Sequence, residues 1–426
     1  MSNWITLSQY SGTSGTTVIN VTANASEGQS RISKYKIATN DEEKEFAINF
    51  IQESDSSHSS PYFTVFYNAT GSSTIISTPL REGGLVRAYR VDSGPWRANP
   101  SGASSVVPRT YSFGTTGIHR IDYLGAPADD GLFYVAELWF KEIESIVSVI
   151  VPDGYNGIKP SAFSGCTNLS EADIGETVSS IKDYAFANTN LHNFSFPNNV
   201  KSVERGVLMG CQYLTSVTFS DYTYEIEENA LAGCNSLPSI VFPNFLESTE
   251  PGAFRNCTSL NGIELPSSLS YLGASTFAGD VSAGGVIIIP ENVLSLYGST
   301  FKGTSFEDII LPVGLLQIGS YCFADMPYVT IITIPDNVRR IDAYCFSGCA
   351  NLSKIIIGEN VCKLGDYLFK DCANLTEIYA YPAISPMFTT STFSYLNTTG
   401  TLHYPIGSDY SAILSRLPNW TGIPDL

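Results

Sequence analysis

Nine cysteines and four histidines are the residues here whose types could bind a metal, attack a substrate or move a proton. Six cysteines (Cys166, Cys211, Cys234, Cys257, Cys349, Cys372) fall three residues after a recurrent Phe or Leu. Cys322 and Cys345 repeat in the same way, and Cys362 stands outside the pattern. No Cys-x-x-Cys pair of the zinc-binding kind is present. The spacing therefore makes the cysteines small buried hydrophobes of a repeat, disulfides between stacked neighbours being the alternative. His58, His119, His192 and His403 lie in separate segments without ligand spacing. No nucleophile elbow, His-Glu-x-x-His, phosphate loop or calcium loop occurs, and the carboxylates fall on solvated turns. The expectation is a protein that is not an enzyme and holds no cofactor or metal.

Aromatic side chains outside the repeat positions are better candidates, since they can stack on sugar rings or anchor a protein contact. Trp96 and Arg97 follow Ser93-Gly94-Pro95 in a loop, and Tyr222 and Tyr224 lie in the insertion-like Asp221-Tyr222-Thr223-Tyr224. These four are the candidate ligand-binding residues. The competing reading packs Trp96 under its own loop and sets the tyrosines beside the sheet.

The chain has 426 residues, 43% of them hydrophobic and 15% charged, a globular composition. A formal charge of −18 disfavours phosphate backbones and anionic membranes, so nucleic acid is excluded as a partner. No apolar run approaches the roughly 18 residues needed to span a bilayer, so no membrane insertion is expected.

The elements that position these residues are mainly β, with short helical turns. Residues 1–54 give short alternating runs at 4–8, 18–23, 31–38 and 45–52 with turn residues between, a small sandwich. Residues 54–60 are a polar linker. Residues 61–145 give strand-like runs at 62–67, 73–77, 85–91, 110–113, 118–124 and 132–140, a second sandwich-like domain. From 146 to 426 the chain repeats. Phe163, Phe186, Leu208, Leu231, Phe254, Phe277, Phe301, Phe323, Phe346, Phe369 and Phe393 follow one another at 22–24 residues, eleven units of a solenoid. Each unit reads as a strand usually ended by proline (Val149-Ile150-Val151-Pro152, Ile263-Glu264-Leu265-Pro266), a second apolar position such as Ile181 or Ile341, and a helical turn carrying the Phe. Gly165, Gly210, Gly233 and Gly348 stand where a left-handed residue closes that turn.

The unit Ile341-Asp342-Ala343-Tyr344-Cys345-Phe346-Ser347-Gly348-Cys349-Ala350-Asn351-Leu352 resembles the BspA-like (Treponema-type) leucine-rich repeat. The segment from Gly400 through Trp420 resembles that family's closing cap. Trp4-Ile5-Thr6-Leu7-Ser8, the Ser-Gly turn at 11–15 and Phe46 through Glu53 resemble the BACON domain, an Ig-like module of bacteroidetes and their phages, with Gln9-Tyr10 where that family has a proline. The first resemblance implies adhesion to host tissue, matrix proteins or other bacteria; the second implies carbohydrate binding, with no binding residue to transfer.

Met1-Ser2-Asn3 leads straight into a strand, without a secretory leader or lipoprotein cysteine. On that ground the expectation placed first is a phage virion component of tail- or head-fibre type that contacts the bacterial surface. Its partners would be other virion proteins or a bacterial surface glycan or protein, with homo-oligomerisation open. The alternative is a bacterial cell-surface adhesin or glycan-binding protein.

Overall fold

The computed structural model describes residues 140–396 and 398–425, and before them the strand segments from Thr6–Leu7 to Tyr134–Val135. The chain divides into two units, Met1–Ser59 and Ser60–Leu426. In the first unit, Thr6–Leu7 pairs antiparallel with Val21–Thr22, within two of the expected runs. The runs at 31–38 and 45–52, and with them the BACON-like sandwich, lie outside the described residues.

The second unit is a β-solenoid. Each turn starts with a short strand whose central side chain points inward, because alternation puts one residue in the core and its neighbours in solvent. Asn193–Ser195, Val286–Ile288 and Asp308–Ile310 all run exposed, buried, exposed. Equivalent strands of successive turns pair parallel and in register, as in Ile331–Ile334, Lys354–Ile357 and Glu377–Ala380. The second apolar position is itself a strand of two residues. Ser202–Val203, Glu225–Ile226, Ser248–Thr249 and Tyr271–Leu272 form one parallel ladder. Ser295–Leu296, Gln317–Ile318, Arg340–Ile341 and Lys363–Leu364 form the next. The solenoid therefore has two strand-bearing faces, the first and second sheet, each interrupted into several ladders, with the core between them.

The turn that carries the Phe is not helical. The residue two before the Phe and the residue two after it both have positive φ, for example Tyr344 (59°) and Gly348 (76°) around Phe346. Two left-handed residues so close preclude a helix. Backbone bonds to the next turn replace helical ones: Phe163 N–H donates to Ala185 at 2.8 Å and Gly165 N–H to Ala187 at 2.8 Å. Gly165, Gly210, Gly233 and Gly348 are left-handed as expected. Among the described residues the one α-helix is Ser411–Leu414, in the closing segment.

The core is a column of rings. Phe163 and Phe186 stack with centroids 5.2 Å apart, and the seven rings from Phe254 to Phe393 follow at 5.7 to 6.2 Å. Each fully buried ring contributes roughly 2–3 kcal/mol by removing apolar area from water. The column begins one unit earlier than expected, since Phe140 stacks on Phe163 at 5.1 Å. Phe140 therefore sits in a ladder turn, not at the end of a 132–140 strand; Tyr134–Val135 is the strand there. The expected strand at Ile263 is also absent: Ile263 is buried, but Gly262 is left-handed and Pro238, a turn earlier, has no N–H to give to a ladder.

Three residues past the ring runs the column Cys166, Thr189, Cys211, Cys234, Cys257, Asp280, Thr304, Met326, Cys349, Cys372, Leu396. All nine cysteines are free, and all except Cys362 are buried. The thiols are satisfied by the previous turn: Cys166 Sγ donates to Phe140 O at 2.8 Å, Cys349 to Phe323 O at 2.9 Å and Cys372 to Phe346 O at 3.0 Å.

No break in the sheet marks 145/146. Tyr62–Ala69 pairs antiparallel with Ile146–Val151, which pairs parallel with Glu171–Ile174. Gly117–Gly125, Val86–Val91 and Arg97–Ala98 extend the same sheet outward, and Thr74–Thr78 pairs separately with Val107–Tyr111. Tyr134–Val135 joins the second sheet beside Gly157–Ile158. Val65, Tyr67, Ile121 and Tyr123 belong to the same buried cluster as the solenoid rings. At the other end Gly400–Tyr404 and Trp420–Pro424 complete the first sheet, Trp420 Nε1 donating to Thr398 O at 3.0 Å.

Candidate recognition surface

Of the four residues singled out from sequence, Tyr222 and Tyr224 have described side chains. Trp96 lies outside the described residues. Arg97 belongs to a two-residue strand opposite Tyr89, on the outer edge of the six-stranded sheet. Tyr222 and Tyr224 are exposed, at 61% and 44%. They occupy no insertion: Tyr224 N–H donates to Lys201 O at 3.0 Å and Tyr224 O accepts from Glu247 N–H at 2.8 Å, the regular bonds of the turn before the second sheet. The stretch reads as inserted because Ser220 stands where other turns have proline and Thr223 where they bury Val or Leu.

A different row of tyrosines is organised by the solenoid. Tyr321, Tyr344 and Tyr367, each two residues before its core Phe, stack with centroids 4.7 and 4.9 Å apart and planes 4° and 24° apart. Tyr395 continues the row at 6.0 Å. The first three are left-handed, at 57°, 59° and 54°, a conformation that costs a bulky residue about 1–3 kcal/mol and that the ladder bonds on either side hold in place. The inner rings cover one another's faces, so they offer solvent their edges and hydroxyls. None of these three hydroxyls hydrogen-bonds another described residue. Lys302 and Lys370 lie over the end rings, 5.3 Å from the Tyr321 centroid and 5.4 Å from that of Tyr395. A spacing of 23 residues aligns the three tyrosines, a signal legible in the sequence.

The outer face of the first sheet carries a second group. Val286, Ile288, Ile310 and Ile331 are exposed there. Further along, Tyr379 is sandwiched by His403 (4.2 Å, 5°) and by Lys354 Nζ, 4.0 Å from the ring. His403 Nδ1 lies 2.9 Å from Asp425. This polar-aromatic cluster can hold hydrogen-bonding groups at the sheet surface.

On the second sheet the carboxylates of Asp183, Glu204 and Glu227 come within 4.8 Å of one another, close enough to offer ligands to one cation, with Lys182 Nζ 2.5 Å from Glu204 neutralising part of the charge. Burial, then Glu204, Glu225 and Asp183, push the Glu227 carboxyl up; burial, then Glu225 and Glu228, do the same to Glu250. A hollow in the core is lined by Ile357, Leu364, Phe369, other apolar side chains and Tyr410, whose hydroxyl donates to Pro382 O at 2.7 Å.

The model of the BspA-type leucine-rich repeat region matches residues 126–215, 179–293 and 285–399. No curated protein matches the chain. Three solved structures are similar. A leucine-rich cell surface protein of Faecalibacterium prausnitzii A2-165 is 19% identical over 71% of this chain and 87% of that one, TM-score 0.43. The pneumococcal vaccine antigen PcpA is 17% identical over 71% and 82%, TM-score 0.48. A leucine-rich repeat protein of Bacteroides ovatus is 17% identical over 78% and 98%, TM-score 0.41.

Proposed function

The chain belongs to the BspA-type leucine-rich repeat family, and from that premise we propose that it is a non-enzymatic recognition protein of the bacterial cell surface that binds an extended glycan. The family favours this setting over the virion component that the sequence placed first. The observation that carries the glycan reading is the row of tyrosine edges at 4.7 and 4.9 Å. That step is close to the length of one pyranose unit in an extended polysaccharide. An extended polypeptide advances about 3.3 Å per residue and falls out of step with the row. Phenol hydroxyls that lack internal partners suit sugar hydroxyls, and the flanking ammonium groups suit uronic or other acidic sugars. Solenoids present such periodic surfaces for long partners.

The test is binding of the full chain to an immobilised panel of bacterial and host polysaccharides and matrix proteins, alongside the Tyr344→Ala variant. Binding to at least one polysaccharide, weakened tenfold or more by Tyr344→Ala, is the expected result. Retention of matrix proteins alone, or glycan binding untouched by the substitution, would overturn the reading. Incubation with the same polysaccharides is expected to release no product, and turnover would refute the non-enzymatic assignment.

A further inference from the structure

The second sheet presents a face whose chemistry changes along the solenoid in a way that is complementary to itself. Seven successive turns are centred on Ile226, Thr249, Leu272, Leu296, Ile318, Ile341 and Leu364. The first two carry Glu225, Glu227, Glu228, Glu247 and Glu250 and no basic residue between Tyr224 and Glu250. The middle three carry Tyr271, Leu294, Tyr297 and Leu316; Leu294, Tyr297 and Leu316 are 49%, 37% and 45% exposed, and the rings of Tyr271 and Tyr297 lie 5.2 Å apart. The last two carry exposed Arg339, Arg340 and Lys363.

The geometry points to this face as a two-fold interface with a second copy of the same chain, the two solenoids running antiparallel. A two-fold axis in the plane of the face, along the strands and through the Leu296 turn, keeps each position along the strand and reverses the order of turns. It sets Glu247 opposite Arg339 and Glu225 opposite Lys363, each pair at the same strand position. Tyr297 and Leu294 meet their own copies on the axis, with Tyr271 and Leu316 beside them. Two acidic pairs also fall opposite one another, Glu250 with Asp342 and Glu228 with Asp366; Asp342 is already paired with Arg340 Nε at 2.9 Å and Glu228 with Arg205 Nε at 3.6 Å. The other in-plane axis, along the solenoid, would press acid on acid.

Burial first, and then the neighbouring carboxylates, hold Glu227 and Glu250 up, so the acidic turns are crowded with like charge. The footprint, about 29 Å by about 16 Å at ordinary strand spacing and rise, is at the low end for specific interfaces. The dimer is therefore weak, and its charge pairs are sensitive to salt.

Sedimentation equilibrium of the full chain at physiological ionic strength tests this. The expected result is a monomer–dimer equilibrium in the micromolar range. The reversals Arg339→Glu with Lys363→Glu, and separately Glu225→Lys with Glu247→Lys, each weaken dimerisation tenfold or more. Mixing the two variants restores a heterodimer, since one then carries only acidic and the other only basic residues at these four positions; the antiparallel register itself is read from a cross-link. Independently, Tyr224→Cys falls opposite the exposed native Cys362 of the other copy and forms a covalent dimer on mild oxidation, lost in Cys362→Ser. A wild-type chain that stays monomeric at high micromolar concentration would overturn the proposal. So would a dimer indifferent to both reversals, or one that gives no Tyr224→Cys to Cys362 link.

Discussion

Asp280 occupies a position where the neighbouring turns hold Cys or Thr, and replacing it with Thr is expected to stabilise the protein. The side chain is fully buried; Oδ1 accepts from Cys257 N–H at 2.8 Å, and Oδ2 is buried with no hydrogen-bond partner. An unsatisfied buried polar atom costs about 1–3 kcal/mol. Thr189 and Thr304, at the equivalent position of their turns, resolve this locally, each hydroxyl donating to the ring residue three back at 2.9 Å. The hydroxyl introduced by Asp280→Thr would do the same toward Phe277 O. The lost acceptor costs little, because Cys257 N–H also points to Phe254 O at 3.2 Å. A net gain of about 1–2 kcal/mol follows for Asp280→Thr. Burial holds the Asp280 carboxyl well above its ordinary range in the folded state. Between the ordinary carboxylate value and that raised value the folded chain binds the extra proton. Wild-type stability therefore falls as pH rises through this window, by a contribution the variant lacks. Urea unfolding of both proteins from pH 4 to pH 8 should show a variant advantage that widens with pH. A variant less stable at every pH, or an advantage constant across it, would refute the reasoning.

Truncating a ring in mid-column, Phe346→Ala, should cost about 3–5 kcal/mol in urea unfolding, because the stacked neighbours Phe323 and Phe369 cannot close the gap. Gly206 is left-handed at 57°, and a Cβ there would lie 2.3 Å from the Tyr184 ring; Gly206→Ala should destabilise by more than about 1 kcal/mol, and adding Tyr184→Ala should return only the steric part. Thiol labelling of the native protein at pH 8 should modify Cys362 alone. The rest are buried, with Cys211 pushed up to about 11 and Cys166 and Cys349 to about 12 by burial, and all nine should react after unfolding.

The period was legible because the ring, the Gly two residues later and the Cys three residues later recur together. Phe140 escaped because Lys141-Glu142-Ile143 follows it where other turns show Ser-Gly-Cys. The two-residue strands of the second sheet carry too few residues to show alternation, and their register comes from the ladder alone. Tyr321, Tyr344 and Tyr367 were aligned in plain sight, but spacing does not say that a residue beside a core Phe is left-handed and turned outward. The pairing of Glu225 with Lys363 or Glu247 with Arg339 is invisible in sequence, since it depends on which turn lies at the centre of a face. The insertion read at 221–224 misled for the opposite reason: unusual local composition there conceals an ordinary turn.

The antiparallel strand Tyr62–Ala69 against Ile146–Val151 has a consequence for how such a chain can change length. Parallel stacking could continue indefinitely, but the reversed strand interrupts it on the N-terminal side. Gain or loss of turns therefore falls on the C-terminal side of that strand, and deleting or duplicating one interior 23-residue unit exposes no new apolar surface. Each such event shortens or lengthens the molecule by about 4.8 Å and slides every surface feature on the C-terminal side past its N-terminal counterpart by one step. The chain is in that sense a ruler, graduated by duplication, with its zero at the reversed strand.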